Sequence, residues 1–248
     1  MFNKKMLIAL AIVIVVAVFA FTSPIPQDPA YHQFSDSRTI LGIANFWNVI
    51  SNLPFLLVGI AGLHIVVRDA DSVCVEGTSA AYRVLFAGIV LTAFGSAYYH
   101  LAPSNEALVW DRLPMTIGFA GLFSIVVAEY VSARTAQRLL VPLLIIGFLS
   151  VVYWAWTETR GVGDLRPYGL VQFLPMLLIP VILLTRKPSI GETRYFWWML
   201  FFYGIAKLFE LFDADLWALG GVISGHSLKH VAASVTPAIF AYALLKRR

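Results

Sequence analysis

Apolar residues run in blocks of about twenty along this chain, separated by short stretches that carry most of the charge. Seven such blocks cover residues 46–67, 80–101, 113–131, 138–156, 168–185, 195–212 and 226–245. Each is close to the ~20 residues a helix needs to cross about 30 Å of hydrocarbon. In lipid only helices and closed barrels satisfy every backbone N–H and C=O, and unbroken apolar runs of this length are helical rather than alternating. An eighth run, 6–21, follows Lys4 and Lys5 and precedes a Pro-containing loop at 23–45. It reads as a signal anchor or a signal peptide. The expected fold is therefore an all-α integral membrane protein, a seven-transmembrane-helix bundle with an additional N-terminal hydrophobic segment. The expected division is 1–22 for that segment and 23–248 for the bundle.

Composition agrees with the pattern. Of 248 residues, 59% are hydrophobic and 13% charged, and the mean hydropathy is +0.78. Soluble domains carry about 25% charged residues. Alternating the loops from a cytoplasmic Lys4 leaves Lys4, Lys5, Arg68, Arg83, Arg134, Arg138, Arg186, Lys187, Arg194, Lys246, Arg247 and Arg248 inside. Arg38, Arg112, Arg160 and Arg166 fall outside, a 12:4 split, and Lys207 and Lys229 lie within spans. Basic loops stay cytoplasmic, so the net charge of +4 is a topology signal and not a nucleic-acid footprint. Trp47, Trp110, Trp154, Trp156 and Trp217 are then expected as an aromatic belt near the outer interface. Cys74 is the single cysteine, which excludes an intrachain disulfide and a thiolate metal site.

The polar residues left inside the apolar blocks gather at one end. Ser96 and His100 are four apart, so on a helix they share a face with Cβ atoms roughly 6 Å apart. Asp111 is expected to open the next helix, and His226 and His230, again four apart, open the last. With alternating helices, all five lie in one stratum near the outer face. Three imidazoles with an open fourth position are what a catalytic zinc requires, and a nearby carboxylate can take the proton of the attacking water. Charged groups in a membrane are costly to bury and mark function.

Other polar residues read as structural. Lys207, Glu210 and Asp213, at i, i+3 and i+6, are expected to neutralise one another or Lys229. Glu129 reads as a solvated charge at an inner helix end, His64 as structural, and His32 as a solvated or lid histidine. A polar cluster at one end leaves no path across the membrane, against a transporter.

These residues resemble a known group. S-x3-H, an Asp eleven residues after the His, and H-x3-H near the C-terminus on seven helices look like the CREST superfamily. Its alkaline ceramidases are most similar, sharing FWN-x2-SN (Phe46, Trp47, Asn48, Ser51, Asn52) and D-x-LPM (Asp111, Leu113, Pro114, Met115). The resemblance covers roughly residues 31–245 and implies a zinc-dependent amidohydrolase acting on ceramide or a related lipid. It implies zinc on His100, His226 and His230, Asp111 positioning and deprotonating the water, and Ser96 steadying the oxyanion or the water. Animal and yeast members also bind calcium through an acidic N-terminal loop with a Glu before FWN. Here that position is Asn45, and the calcium site carries over only as far as Asp28 and Asp36. The departures point to a prokaryotic-type relative in a bacterial inner or plasma membrane, with the site outside or periplasmic and the C-terminus cytoplasmic. Two alternatives stand beside the amidohydrolase: a Per1-like lipid esterase or phospholipase, and a receptor-like protein with structural zinc.

Overall fold

The computed structural model describes residues 12–13, 15–17 and 19–248. Lys4, Lys5 and much of the apolar run 6–21 lie outside the described residues. From Phe46 onward the chain is helical. A short α1 (Phe46–Ile50) leads into α2 (Leu53–Val73), followed by α3 (Ser79–Leu101), α4 (Asn105–Tyr130), α5 (Ala133–Thr159) and α6 (Arg166–Thr185). Then come α7 (Thr193–Leu211), the short α8 (Asp213–Gly220) and α9 (Gly225–Leu245).

Among the described residues, six helical stretches are long and apolar enough to cross a membrane: Phe46–Val73 and helices α3, α4, α5, α6 and α9. The chain is thus a multi-pass membrane protein. The seventh expected span, α7, forms as a helix of 19 residues, but Arg194, Lys207 and Glu210 all fall within it. Its charges, not its length, set it apart from the other six.

Local chemistry explains where the helices begin. Ser104 caps α4 by accepting from the Ala107 N–H at 3.2 Å, and Ser224 caps α9 by accepting from the Ser227 N–H at 3.3 Å. A side-chain oxygen at this position satisfies an amide that the first helical turn leaves orphaned. The cap at Ser104 moves the start of α4 well before residue 113, so Asp111 lies in the second turn of the helix and does not open it.

Glycine sets how closely α3 and α4 approach. A Cβ on Gly95 would sit 1.9 Å from the Trp110 carbonyl oxygen. That carbonyl is the one whose helical donor is missing, because Pro114 follows four residues later and has no N–H. Small residues permit such contact between membrane helices. Since Gly95 precedes Ser96 and Trp110 precedes Asp111, this contact also determines how Ser96 meets Asp111.

The loop from Ser23 to Asn45 folds over one end of the bundle, where the α3–α4, α5–α6 and α7–α9 connections also lie. Leu165 N–H donates to the Ile25 carbonyl at 2.8 Å, Gln27 N–H donates to Glu158 at 2.7 Å, and Arg38 donates to the Val222 carbonyl at 2.7 Å.

The opposite end corrects an expectation. Glu129 is 1% exposed, not solvated. It accepts from Arg247 on both oxygens, at 2.8 and 3.0 Å, and from the Tyr82 hydroxyl at 2.8 Å. Arg247 also donates to the Val73 carbonyl at 3.0 Å. A charge survives burial when a partner and further hydrogen bonds compensate it. The expected tryptophan belt is corrected too. Trp47, Trp110 and Trp156 are exposed, but Trp154 is wholly buried and donates to Glu158 at 3.0 Å.

Candidate metal and catalytic site

His100, near the end of α3, faces His226 and His230 in the first turns of α9. All three rings are buried. Nε2 of His100 is 3.2 Å from Nε2 of His230 and 3.4 Å from Nε2 of His226, and the ligand atoms of the three lie within 4.8 Å of one another. Nitrogens bound to tetrahedral zinc at about 2.05 Å would stand roughly 3.3 Å apart. Three buried imidazole nitrogens gathered this closely are a donor set that fits a divalent ion.

The hydrogen bonds around His230 assign its tautomer. Its Nδ1 is 2.7 Å from Ser51 Oγ, and the Ser51 hydroxyl donates its proton to the Asn48 carbonyl at 3.1 Å. Ser51 therefore accepts from Nδ1–H, which leaves the Nε2 lone pair facing the cluster. Fixing a histidine through its second nitrogen is the usual support for a metal ligand. Asn48 spreads this support. Its Oδ1 accepts from the Ser227 hydroxyl at 2.7 Å, and its Nδ2 donates to the Asp36 carbonyl at 3.0 Å. The FWN-x2-SN stretch, legible only as a family signature, thus acquires a physical role.

The N-terminal loop closes the cluster from outside. The Phe34 ring lies 4.8 Å from the His100 ring and 4.5 Å from the His226 ring, centre to centre. His32 docks rather than remaining solvated, with Nε2 3.0 Å from Asn105 Oδ1 and Nδ1 3.0 Å from the Tyr99 hydroxyl. The amide oxygen can only accept, so Nε2 donates to it. Asp28 and Asp36, the candidate calcium carboxylates, are engaged separately. Asp28 accepts from the Ala30 N–H at 2.8 Å, while Asp36 pairs with Arg38 through two bonds of 2.8 and 2.7 Å.

Asp111 and Ser96 stand together beside the cluster. The Ser96 hydroxyl faces the Asp111 carboxylate, and both line a cavity of about 400 Å³ that also touches His230. Asp111 does not belong to the group of ligand atoms formed by the histidines. Below, a second chamber of about 150 Å³ shares Phe55, Thr92, Met115, Tyr203 and Ala233 with the first and is otherwise almost wholly apolar. The two chambers thus adjoin, with the charged groups confined to the first.

The three charges of the seventh run divide. Lys207 and Lys229 each donate to Glu210 at 2.7 Å, as expected. Asp213 does not join them. It accepts from the His226 N–H at 2.6 Å and from the Ser35 N–H at 3.2 Å, placing a negative charge at the start of α9 where the helix dipole favours it. A Cβ on Gly225 would lie 2.3 Å from the Phe209 carbonyl, so the residue beside His226 has to be small for α9 to start against α7.

Ser51, Asn48, Phe34 and Asp213 support the site without standing out in the sequence as site residues. No curated protein matches the chain at a significant level. The profile of the family described as Ceramidase matches residues 35–245, the same stretch that contains His100, Asp111, His226, His230 and the helices that carry them. The chain belongs to the ceramidase family.

Proposed function

We propose that this protein is a membrane-embedded, zinc-dependent amidohydrolase that cleaves the N-acyl bond of ceramide or a related lipid. The observation that carries this reading is the meeting of three imidazole Nε2 atoms with an Asp–Ser pair that lines a cavity adjoining an apolar chamber. His100, His226 and His230 would hold zinc, which supplies Lewis acidity and makes water a nucleophile near neutral pH.

The chain's own groups divide the rest of the work. Asp111 takes the proton of the attacking water on a carboxylate oxygen and returns it to the leaving nitrogen, converting an amide into an acid and an amine. Ser96 donates to that carboxylate and so holds it in place. Ser51 keeps Nε2 of His230 unprotonated. Phe34 and the loop around it exclude bulk water. The apolar chamber receives an alkyl chain while the linkage stays beside Asp111. Residues 23–248 act as one membrane domain, preceded by the 1–22 segment as anchor or signal. The basic-residue split supports a site open to the outer or periplasmic side of a bacterial membrane, with a cytoplasmic C-terminus.

The test is incubation of the purified, zinc-loaded protein with ceramides and with diacyl phospholipids in mixed micelles. Long-chain amine released from ceramide, and absent with Asp111→Asn, is the expected result. Fatty acid released from phospholipid alone would move the protein to the esterase alternative. No product from either, with zinc bound, would favour the receptor-like reading.

A further inference from the structure

Arg112 is out of place as a mere topology signal. It follows Asp111 on α4, is 6% exposed and lines the same cavity as Ser96 and His230. Its Nη2 donates to Gln27 Oε1 at 2.5 Å, but its buried Nη1 has no partner. The guanidinium lies over Trp154 and Tyr168, 4.1 and 4.9 Å from their ring centres. Arg247, equally buried, holds Glu129 on two donors. Arg112 joins none of the ion pairs found among the described residues. Arginine does not give up its proton in a protein, and an unpaired buried ion is costly. A guanidinium that lines a cavity and has no ionic partner there suits a carboxylate, phosphate or sulfonate.

The rest of the wall has the same bias. Lys207 and Lys229 share one carboxylate, Glu210, so the described lining carries three fixed cations against Asp111 and Glu210. Tyr31 stands between the two sides, its ring centre 5.9 Å from Arg112 Cζ and 5.9 Å from Lys229 Nζ. Desolvation and the neighbouring Glu210 push its phenol well above the usual range. Tyr31 therefore stays neutral and adds no negative charge.

We infer that the lipid bound here carries an anionic group on its head, received by Arg112 together with Lys229 and Lys207, which line the same cavity. This deepens the hydrolase reading by naming the substrate class: an N-acyl lipid bearing a phosphate, sulfonate or carboxylate near its amide. For the reaction it rests on that reading; for binding it stands alone.

Binding is tested without turnover. The full chain in a maltoside detergent is titrated by calorimetry with dodecyl phosphate, with its neutral dimethyl ester and with inorganic phosphate. A charge-assisted hydrogen bond in a dry site is worth about 10-fold or more in affinity. The phosphate amphiphile should therefore bind about 10-fold or more tightly than its ester, and more tightly than inorganic phosphate. Arg112→Gln should abolish that preference. Lys207→Met, at a half-exposed position, should reduce it a few-fold and serves if Arg112→Gln does not fold. Equal binding of ester and phosphate by the native chain, or a preference retained in Arg112→Gln, overturns the inference. Tighter binding of inorganic phosphate than of the amphiphile would assign the site to a free anion and overturn it as well. Ceramide hydrolysis with no preference for the anion would leave the proposed reaction intact and remove only this refinement.

Discussion

Ser51 Oγ and His230 Nδ1 are 2.7 Å apart although 179 residues separate them in the chain. The contact joins the FWN-x2-SN stretch to the second half of H-x3-H. Ser51→Ala should weaken zinc affinity about 10–100-fold, the usual effect of losing a ligand's hydrogen-bonded support. Competition with a zinc chelator of known affinity measures this, and unchanged competition would mean that another group orients His230.

The histidine cluster should hold about one zinc per chain when the protein is purified. His226→Ala and His230→Ala should each lose most of it, read by mass spectrometry of the metal. Full retention in both variants would remove the metal assignment.

Asp111→Asn should keep zinc and lose about 10²–10⁴-fold in turnover, because it deletes a base and no ligand. Ser96→Ala should keep zinc and show a smaller or comparable defect. A helix-cap role for Asp111 is already excluded by Ser104, which caps α4. Wild-type turnover in Asp111→Asn would therefore leave that residue without a catalytic role.

Gly95→Ala places a methyl 1.9 Å from the Trp110 carbonyl and should cost about 1–3 kcal/mol as the helices separate. The same separation draws Ser96 from Asp111, so turnover should fall more than the melting temperature alone implies. A variant that melts like the parent and keeps full turnover would show that α3 and α4 have slack.

Sidedness can be read with thiol labelling, though Cys74 is a poor reporter. It is 5% exposed and burial pushes its thiol up to about 11, so it should resist reagent from either side. In a Cys74→Ala background, Ala102→Cys should react with an impermeant reagent on intact cells and Glu76→Cys should not. The reverse pattern would invert the orientation.

What could be read from the sequence was whatever depends on one helix at a time. Apolar length located the six membrane-capable stretches and α7, though not the short α8, and four-residue spacing put Ser96 with His100 and His226 with His230. Alternating direction then brought Asp111 to the same end. Rotation of one helix against another leaves no periodic trace, so the partners of Glu129, Trp154 and Arg112 were out of reach. Each was read from its position along a helix as facing water or the interface, and each faces a neighbour. Asp213 was missed for a related reason, since α7 ends two residues before it and the chain turns there. The start of α4 was missed because a capping serine lies eight polar-to-mixed residues ahead of the apolar run.

One helix is held at both of its ends. At the top of α9 the Asp213 carboxylate receives the His226 N–H, and Lys229 reaches Glu210. At the bottom Arg247, just past the last turn, is clamped by Glu129. Between these two moorings the helix presents Ala233, Thr236 and Pro237 to the apolar chamber. A rod moored this way cannot slide along its axis to admit a chain or release a product. Any breathing of the bundle then falls to the helices facing α9, while His226 and His230 keep station like marks on a fixed rule.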